Sequence, residues 1–212
     1  PDPQTGAVFN DREMIDEVAT FFLAGHETGA SALAWALYLL AENPDWQDRL
    51  ALEAETHFSP EFASVKSLSA ARAVFREALR LYPPVAMTVR ECRHAETLRD
   101  RKAPRGAQLV LSPWHLHRHQ RLWERPDEFD PSRWETQNGK TCAREAYIPF
   151  SAGARACPGA GFAMIEGPLI LAALTKAYRF TLGTTRPEPV MRLTVRGKAG
   201  ISLRLTPRKT DI

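Results

Sequence analysis

Phe150-Ser-Ala-Gly-Ala-Arg-Ala-Cys-Pro-Gly159 carries the most specific pattern in the chain. It sets one cysteine at the mouth of a helical run, behind small residues and an arginine. A cysteine at a helix N-cap is held as the thiolate by the helix dipole and by the unpaired N–H groups of the first turn. Pro158 would fill the first helical position, where no donor is needed. Gly153 and Gly159 let the backbone wrap closely around a flat ligand, Phe150 can pack against it, and Arg155 offers a fork of donors to a carboxylate. Thiolate, planar ligand and paired acid groups together describe heme b, with Cys157 as the axial iron ligand. The competing reading of Cys157 is an inert buried thiol in front of an ordinary helix.

Outward from this loop, Phe162, Ile165, Leu169 and Ala173 predict a helix over 160–178, kinked at Pro168. Just upstream, residues 124–149 are rich in proline, charge and aromatics without periodicity, which predicts a long ordered meander. Downstream, 190–195 and 201–205 alternate and predict an antiparallel hairpin joined through 197–200. Toward the N-terminus, Asn10 and Glu13 form a capping-box pattern. Val18, Phe22, Trp35 and Leu39 then recur at helical spacing until Asn43-Pro44, predicting one helix over Asp11–Glu42. Two more helices are predicted, from Pro44 to about His57 and over Ser69–Leu81, the latter stopped by Pro83-Pro84. Val85, Met87 and Val89 alternate as a short strand, and Gln108–Leu111 is a second. The fold class is mainly α with small β-sheets (α+β), and no internal repeat is visible.

Composition narrows the function classes. The chain has 212 residues, 44% of them hydrophobic and 25% charged, which excludes collagenous, low-complexity and wholly disordered proteins. Its net charge of +3 is spread along the chain, so no nucleic-acid partner is called for. Cys92, Cys142 and Cys157 are odd in number, far apart and without a CxxC pair, which fits a reducing compartment better than a disulfide framework or a zinc site. The apolar stretch from Ala30 to Ala41 is too short to span a bilayer, and no basic-then-apolar signal pattern opens the chain. A soluble, cytoplasmic protein is therefore expected. The opening PDPQTG, without a methionine and close to a long helix, reads as a linker or a cut.

The signature FxxGxRxCxG, met at Phe150, Gly153, Arg155, Cys157 and Gly159, closely resembles that of the cytochrome P-450 family of heme-thiolate monooxygenases. Two further segments match in order and separation. Glu77-Ala-Leu-Arg80 places a carboxylate and a guanidinium on one helix face. The resemblance implies that Arg133, in Phe129-Asp-Pro-Ser-Arg133-Trp, joins them in a buried structural triad that fixes the meander. Ala24-Gly25-His26-Glu27-Thr28 lies within the long helix, where small residues let a ligand approach the axis and Glu27 and Thr28 can hold water beside it. The resemblance implies that these two deliver protons to iron-bound dioxygen. Gly29 departs from the second threonine of many members.

Softer correspondences follow from the same resemblance. Arg90 would pair a heme propionate, against the alternative of an exposed strand end. Val85 and Met87 would contact substrate, against plain core. Ala163, six residues after Cys157, would lie against the porphyrin, although an alanine in a helix core is the alternative. His115, His117 and His119 alternate, but without carboxylate or cysteine company they read as surface residues near the heme's proximal side.

The resemblance implies monooxygenation of an apolar small molecule. Electrons would come from NAD(P)H through a ferredoxin or flavoprotein reductase, docked near Arg118, Arg121 and Arg144. It covers this chain but only about the C-terminal half of a family domain, from the long oxygen-binding helix to the final hairpin. With the N-terminal half missing, one face of the long helix would expose an apolar patch prone to self-association. Three classes stay open: part of a monooxygenase, a heme-free inactive fragment, or a peroxide-using heme protein.

Overall fold

α1 spans Asp11–Glu42 and opens on the expected capping box. The Asn10 side chain accepts from the Glu13 N–H at 3.0 Å, and the Glu13 carboxylate accepts from the Asn10 N–H at 2.9 Å. It ends where Asn43 turns its amide back onto the Leu39 carbonyl at 2.8 Å and Pro44 starts α2, Pro44–His57. The structure, a computed structural model, describes residues 6–208, so PDPQT of the expected linker lies outside the described residues. The two halves of α1 differ sharply. Trp35, Ala36, Tyr38, Leu39 and Leu40 are buried, whereas Val18, Phe21, Phe22 and Leu23 are each at least 60% exposed.

The core forms where α1, α2, α3 (Ser69–Leu81) and α6 (Ala160–Ala177) pack together. α3 lacks a cap of its own, and α2 provides one. Glu53 accepts from the Ala70 and Ala71 N–H groups at 2.7 and 3.0 Å and from the Ser69 hydroxyl at 2.9 Å, placing an anion at the positive end of the helix. α6 runs as one helix through Pro168 and is long and apolar enough to cross a membrane by length and composition, a property absent from the sequence expectation. Its Leu171, Ala172 and Thr175 are buried in the protein.

Among the described residues the strands form four two-stranded antiparallel sheets: β1 (Thr88–Glu91) with β4 (Gln108–Leu111), β2 (Glu96–Leu98) with β3 (Arg101–Ala103), β5 (Tyr178–Leu182) with β8 (Leu203–Pro207), and β6 (Pro189–Met191) with β7 (Val195–Gly197). The expected terminal hairpin is therefore repartnered. Val190 pairs with Arg196, and Leu205 pairs with Phe180. Alternation marks a strand without naming its partner. Here Gln47 of α2 fixes the choice, bonding the Phe180 N–H and C=O at 2.6 and 3.0 Å and holding β5 where β8 can add.

Two other segments differ from expectation. β1 begins at Thr88, after Val85 and Met87, because the Ala86 carbonyl is taken by the Trp114 N–H and the Ser112 hydroxyl rather than by a ladder. The meander contains a 3-10 turn, Pro131–Glu135, and α5, Gln137–Glu145, capped by the Thr136 hydroxyl on the Gly139 N–H at 3.0 Å. α5 buries only Gly139 and Cys142, so it has no apolar period to read. α4 is the short helix Pro113–Leu116.

α3 and α6 approach closely at one glycine. A Cβ on Gly167 would fall 2.3 Å from Cζ of Phe75, so the ring or the helix would have to move. Gly167→Ala is expected to destabilise the fold by about 1–3 kcal/mol and lower the urea midpoint. An unchanged midpoint would show that the helices do not meet this tightly.

Candidate functional site

The site rests on a buried ion cluster. Glu77 and Arg80, one turn apart on α3, are fully buried and meet in a two-point pair, Nη2 to Oε1 at 2.8 Å and Nε to Oε2 at 3.0 Å. Arg133 brings its Nε to the same Oε1 at 2.8 Å, and the Asp130 N–H adds a further donor at 3.1 Å. The two guanidinia spend their remaining donors on carbonyls, one at His117 and the rest in the meander. Arg80 reaches Pro126 and Glu128 at 2.5 and 2.9 Å, and Arg133 reaches Glu124, Arg125 and Glu128 at 2.7, 2.9 and 3.1 Å. A buried charge is tolerable when its partners are this complete, and the cost of removing one is the desolvated remainder. The triad read from Glu77, Arg80 and Arg133 is thus assembled, and what it holds is the backbone of the meander.

That meander leads into the cysteine loop. The Cys157 N–H donates to the Phe150 carbonyl at 2.8 Å and the Ala156 N–H to Gly153 at 3.0 Å, closing the loop on itself. Two left-handed residues shape it, Gly153 at φ +69° and Ser151 at φ +61°. Phe150 is half-buried and packs on the core, while Cys157 and Arg155 are exposed. Gly159, not Cys157, is the N-cap of α6, so Cys157 and Pro158 lie just ahead of the helix rather than in its first turn. A glycine at the cap leaves the first-turn N–H groups without a side-chain acceptor and still facing the cysteine end. Arg90 reaches the loop from β1, its Nη2 donating to the Ser151 hydroxyl at 3.4 Å.

α1 crosses α6 near Gly29, whose added Cβ would lie 3.9 Å from Glu166. One turn before that crossing, Ala24 and Gly25 are exposed, and on α6 Ala163 is half-buried. A Cβ on Gly25, Gly153 or Gly161 would meet nothing within 4 Å beyond its own adjoining backbone. An exposed thiol, arginines from two segments and small-residue surfaces on two crossing helices form a donor set that fits a flat, carboxylate-bearing, thiolate-ligated group such as heme. The Thr28 hydroxyl donates to the Ala24 carbonyl at 2.6 Å, and Glu27 accepts from the Thr194 hydroxyl at 2.9 Å. Thr194 was not anticipated. It sits in the turn between β6 and β7, clamped to α1 where Ser31 and Trp35 both donate to the Val195 carbonyl at 2.5 and 2.9 Å. Val85 and Met87 are each 38% exposed.

Two expectations about surface residues are corrected. Arg118 is mostly buried, stacked 3.9 Å over the Trp114 ring and paired with Asp127 at 3.5 Å, so of the expected basic trio only Arg121 and Arg144 are exposed. His117 is fully buried, while His115 and His119 make separate local bonds, to the Ser112 hydroxyl at 2.8 Å and from the Arg121 N–H at 3.2 Å. Nothing in the HxHxH spacing distinguishes the three, because the partners of His117 lie more than 30 residues away.

Burial lowers the His117 pKa to about 4, helped by the positive charges of Arg80 on α3 and of Arg118 beside it, against a hydrogen bond to the Arg80 carbonyl. The unfolded chain then binds a proton that the folded chain refuses between pH 6.5 and about 4. Stability from this group is full above pH 6.5 and falls by ~3 kcal/mol as pH drops to about 4. Urea midpoints measured across that window should fall in the wild-type chain and lose this component in His117→Gln; identical slopes would contradict it.

The family model described as Cytochrome P450 matches residues 2–205. The chain is 41% identical over 199 residues to cyclooctatin synthase of Streptomyces melanosporofaciens, covering 91% of this chain and 43% of that protein. It is 36% identical over 208 residues to mouse (Mus musculus) Cytochrome P450 4A10, covering 95% of this chain and 40% of the relative. Among solved structures, the crystal structure of cytochrome P450DA heme domain superposes with TM-score 0.91 at 30% identity, over 98% of this chain and 47% of that one. The chain thus spans about two fifths of the length of the curated relatives it matches. A signature loop, a buried Glu-Arg-Arg cluster and a family match along nearly the whole length agree: the chain belongs to the cytochrome P450 family.

Proposed function

We propose that this chain is the heme-thiolate half of a monooxygenase that inserts one oxygen atom of O2 into an apolar small molecule. The observation that carries it is the exposed Cys157 at the base of α6, on a loop closed on itself and reached through a meander that a fully paired buried ion cluster holds. Cyclooctatin synthase and the Cyclooctat-9-en-7-ol 5-monooxygenase of Streptomyces melanosporofaciens, the latter 38% identical to this chain, support the reaction class through their names. When bound, heme supplies the activation of dioxygen, with the second oxygen atom leaving as water after two electrons and two protons have been delivered.

The chain's own residues supply the setting. Cys157, as the thiolate, would hold the iron, and Arg90 and Arg155 would donate to the carboxylates of the group. Phe150, Gly153, Gly159 and Ala163 on one side and Ala24 and Gly25 on the other would provide close, apolar contact. Thr28 donates its proton to Ala24, which leaves the hydroxyl oxygen to accept from a water. Glu27, next to it, is the carboxylate that can hold and pass on a solvent proton, as a general acid must. Val85 and Met87 would meet an apolar substrate. Electrons would come from NAD(P)H through a ferredoxin or flavoprotein reductase, with exposed Arg121 and Arg144 suited to an acidic donor.

One observation favours a second state for the chain by itself. Ile15, Val18, Phe22 and Leu23 on the first turns of α1 are 61–68% exposed, an apolar face of the kind that drives association. In that state the chain is heme-free and self-associated.

An absorbance spectrum of the reduced protein under carbon monoxide, with hemin added, separates the two. The proposal expects a strongly red-shifted Soret band that Cys157→Ala abolishes. No Soret band in the full-length protein, or one that survives Cys157→Ala, would contradict it.

A further inference from the structure

His117 is a buried imidazole that the proposed chemistry does not use. The Arg80 Nη1 donates to the His117 carbonyl at 2.9 Å, and His117 Nδ1 lies 3.3 Å from the Arg80 carbonyl, so the two residues clasp each other across 37 positions of sequence. On the far side of the ring, Nε2 lies 2.9 Å from the Ile148 N–H. A carbonyl only accepts and an N–H only donates, so Nδ1 must carry the proton and Nε2 must be bare: the neutral ring in one tautomer. Both nitrogens are committed. The ring also faces Tyr147 at 5.3 Å, whose hydroxyl is anchored to the Arg76 carbonyl of α3 at 3.1 Å.

Ile148 is where the cysteine loop begins. Its carbonyl accepts from the Ser151 N–H at 3.1 Å, which closes the turn that places Phe150, and the Phe150 carbonyl accepts from Cys157 at 2.8 Å. We propose that His117 is a positioning residue for Cys157: through its Nε2 it holds Ile148, and with it the whole 148–157 loop, to the end of the ion-paired helix. This rests on the proposed heme-thiolate function and adds a third anchor to the two already described, the Glu77 cluster under the meander and the Arg90 contact at Ser151. The Glu77 cluster grips residues 124–130 and Arg90 grips a side chain. His117 grips the backbone at the loop's own base.

The test uses the heme-loaded full-length protein and three substitutions. His117→Phe keeps the ring volume and the contact with Tyr147 but loses both bonds. His117→Asn ends near the Nδ1 position and reaches Arg80 but not Ile148. His117→Gln places an acceptor again near Nε2. The expected result is that Phe and Asn shift much of the reduced carbonyl complex from the red-shifted thiolate band to a form without thiolate ligation, while Gln restores it. Amide exchange at Ile148, read without reference to activity, should speed up by about tenfold in Phe and Asn and return toward wild type in Gln. A role in stability alone would lower the unfolding midpoint of the Phe and Asn variants while leaving the folded protein's band ratio and iron reduction potential as in wild type, and that outcome overturns the proposal. If Phe does not fold, the Asn and Gln pair carries the same contrast. A wild-type protein with no thiolate band at all would instead overturn the function on which the proposal rests.

Discussion

Three buried charges, Glu77, Arg80 and Arg133, organise this structure. An unpaired ion at any one of these positions would carry a penalty of several kcal/mol, so each must find partners, and the partners it finds are the irregular parts of the chain. Nearly all the donors that Arg80 and Arg133 do not give to Glu77 go to backbone carbonyls between Glu124 and Glu128, with one more at His117. A segment with little regular structure is thereby given one conformation. Trp123, Trp134 and Tyr147 then close over it, with Arg76 stacked 4.1 Å above Trp134. Hydrophobic burial alone would not specify such a segment, because it has no continuous apolar face.

From this cluster order is passed on in two directions. Along the chain it runs through the meander to the cysteine loop, whose own bonds present Cys157 ahead of α6. Through the core it runs from α3 to α6 at Gly167 and to α1 at Trp35, whose ring stacks 3.8 Å from that of Tyr82 just beyond α3. α1 in turn holds the turn between β6 and β7 through Glu27, Ser31 and Trp35. Glu27, the residue proposed for proton delivery, is thus also part of a packing clamp, and its neighbour Thr28 is bonded within its own helix. The first turns of α1 lie outside this order, with Ile15, Val18, Phe22 and Leu23 61–68% exposed.

Helix limits were legible in the sequence because their causes are local. Asn10 with Glu13, Asn43-Pro44 and Pro83-Pro84 act within a few residues of themselves, and the start of α1, the boundary between α1 and α2 and the end of α3 fall where those signals require. The cluster was legible only through a resemblance, since a Glu and an Arg three apart on a helix are ordinarily solvated. What stayed hidden was set by distant partners. β8 lies on β5 because Gln47 holds that strand; α5 shows no period because it buries two residues; His117 is buried because Arg80 and Ile148 close over it. The periodicity places the start of α6 at Ala160 as found, whereas the cap is Gly159 and not Cys157, since Pro158 is compatible with both registers and a glycine has no side chain to announce it.

The central claim is that this scaffold presents Cys157 as the thiolate ligand of heme iron, and X-ray absorption at the iron edge of the heme-loaded protein tests it most directly. The account predicts one sulfur neighbour in the first shell of the iron, lost in Cys157→Ala. A first shell of nitrogen and oxygen alone in the wild-type protein, or a sulfur neighbour that persists in Cys157→Ala, would contradict it.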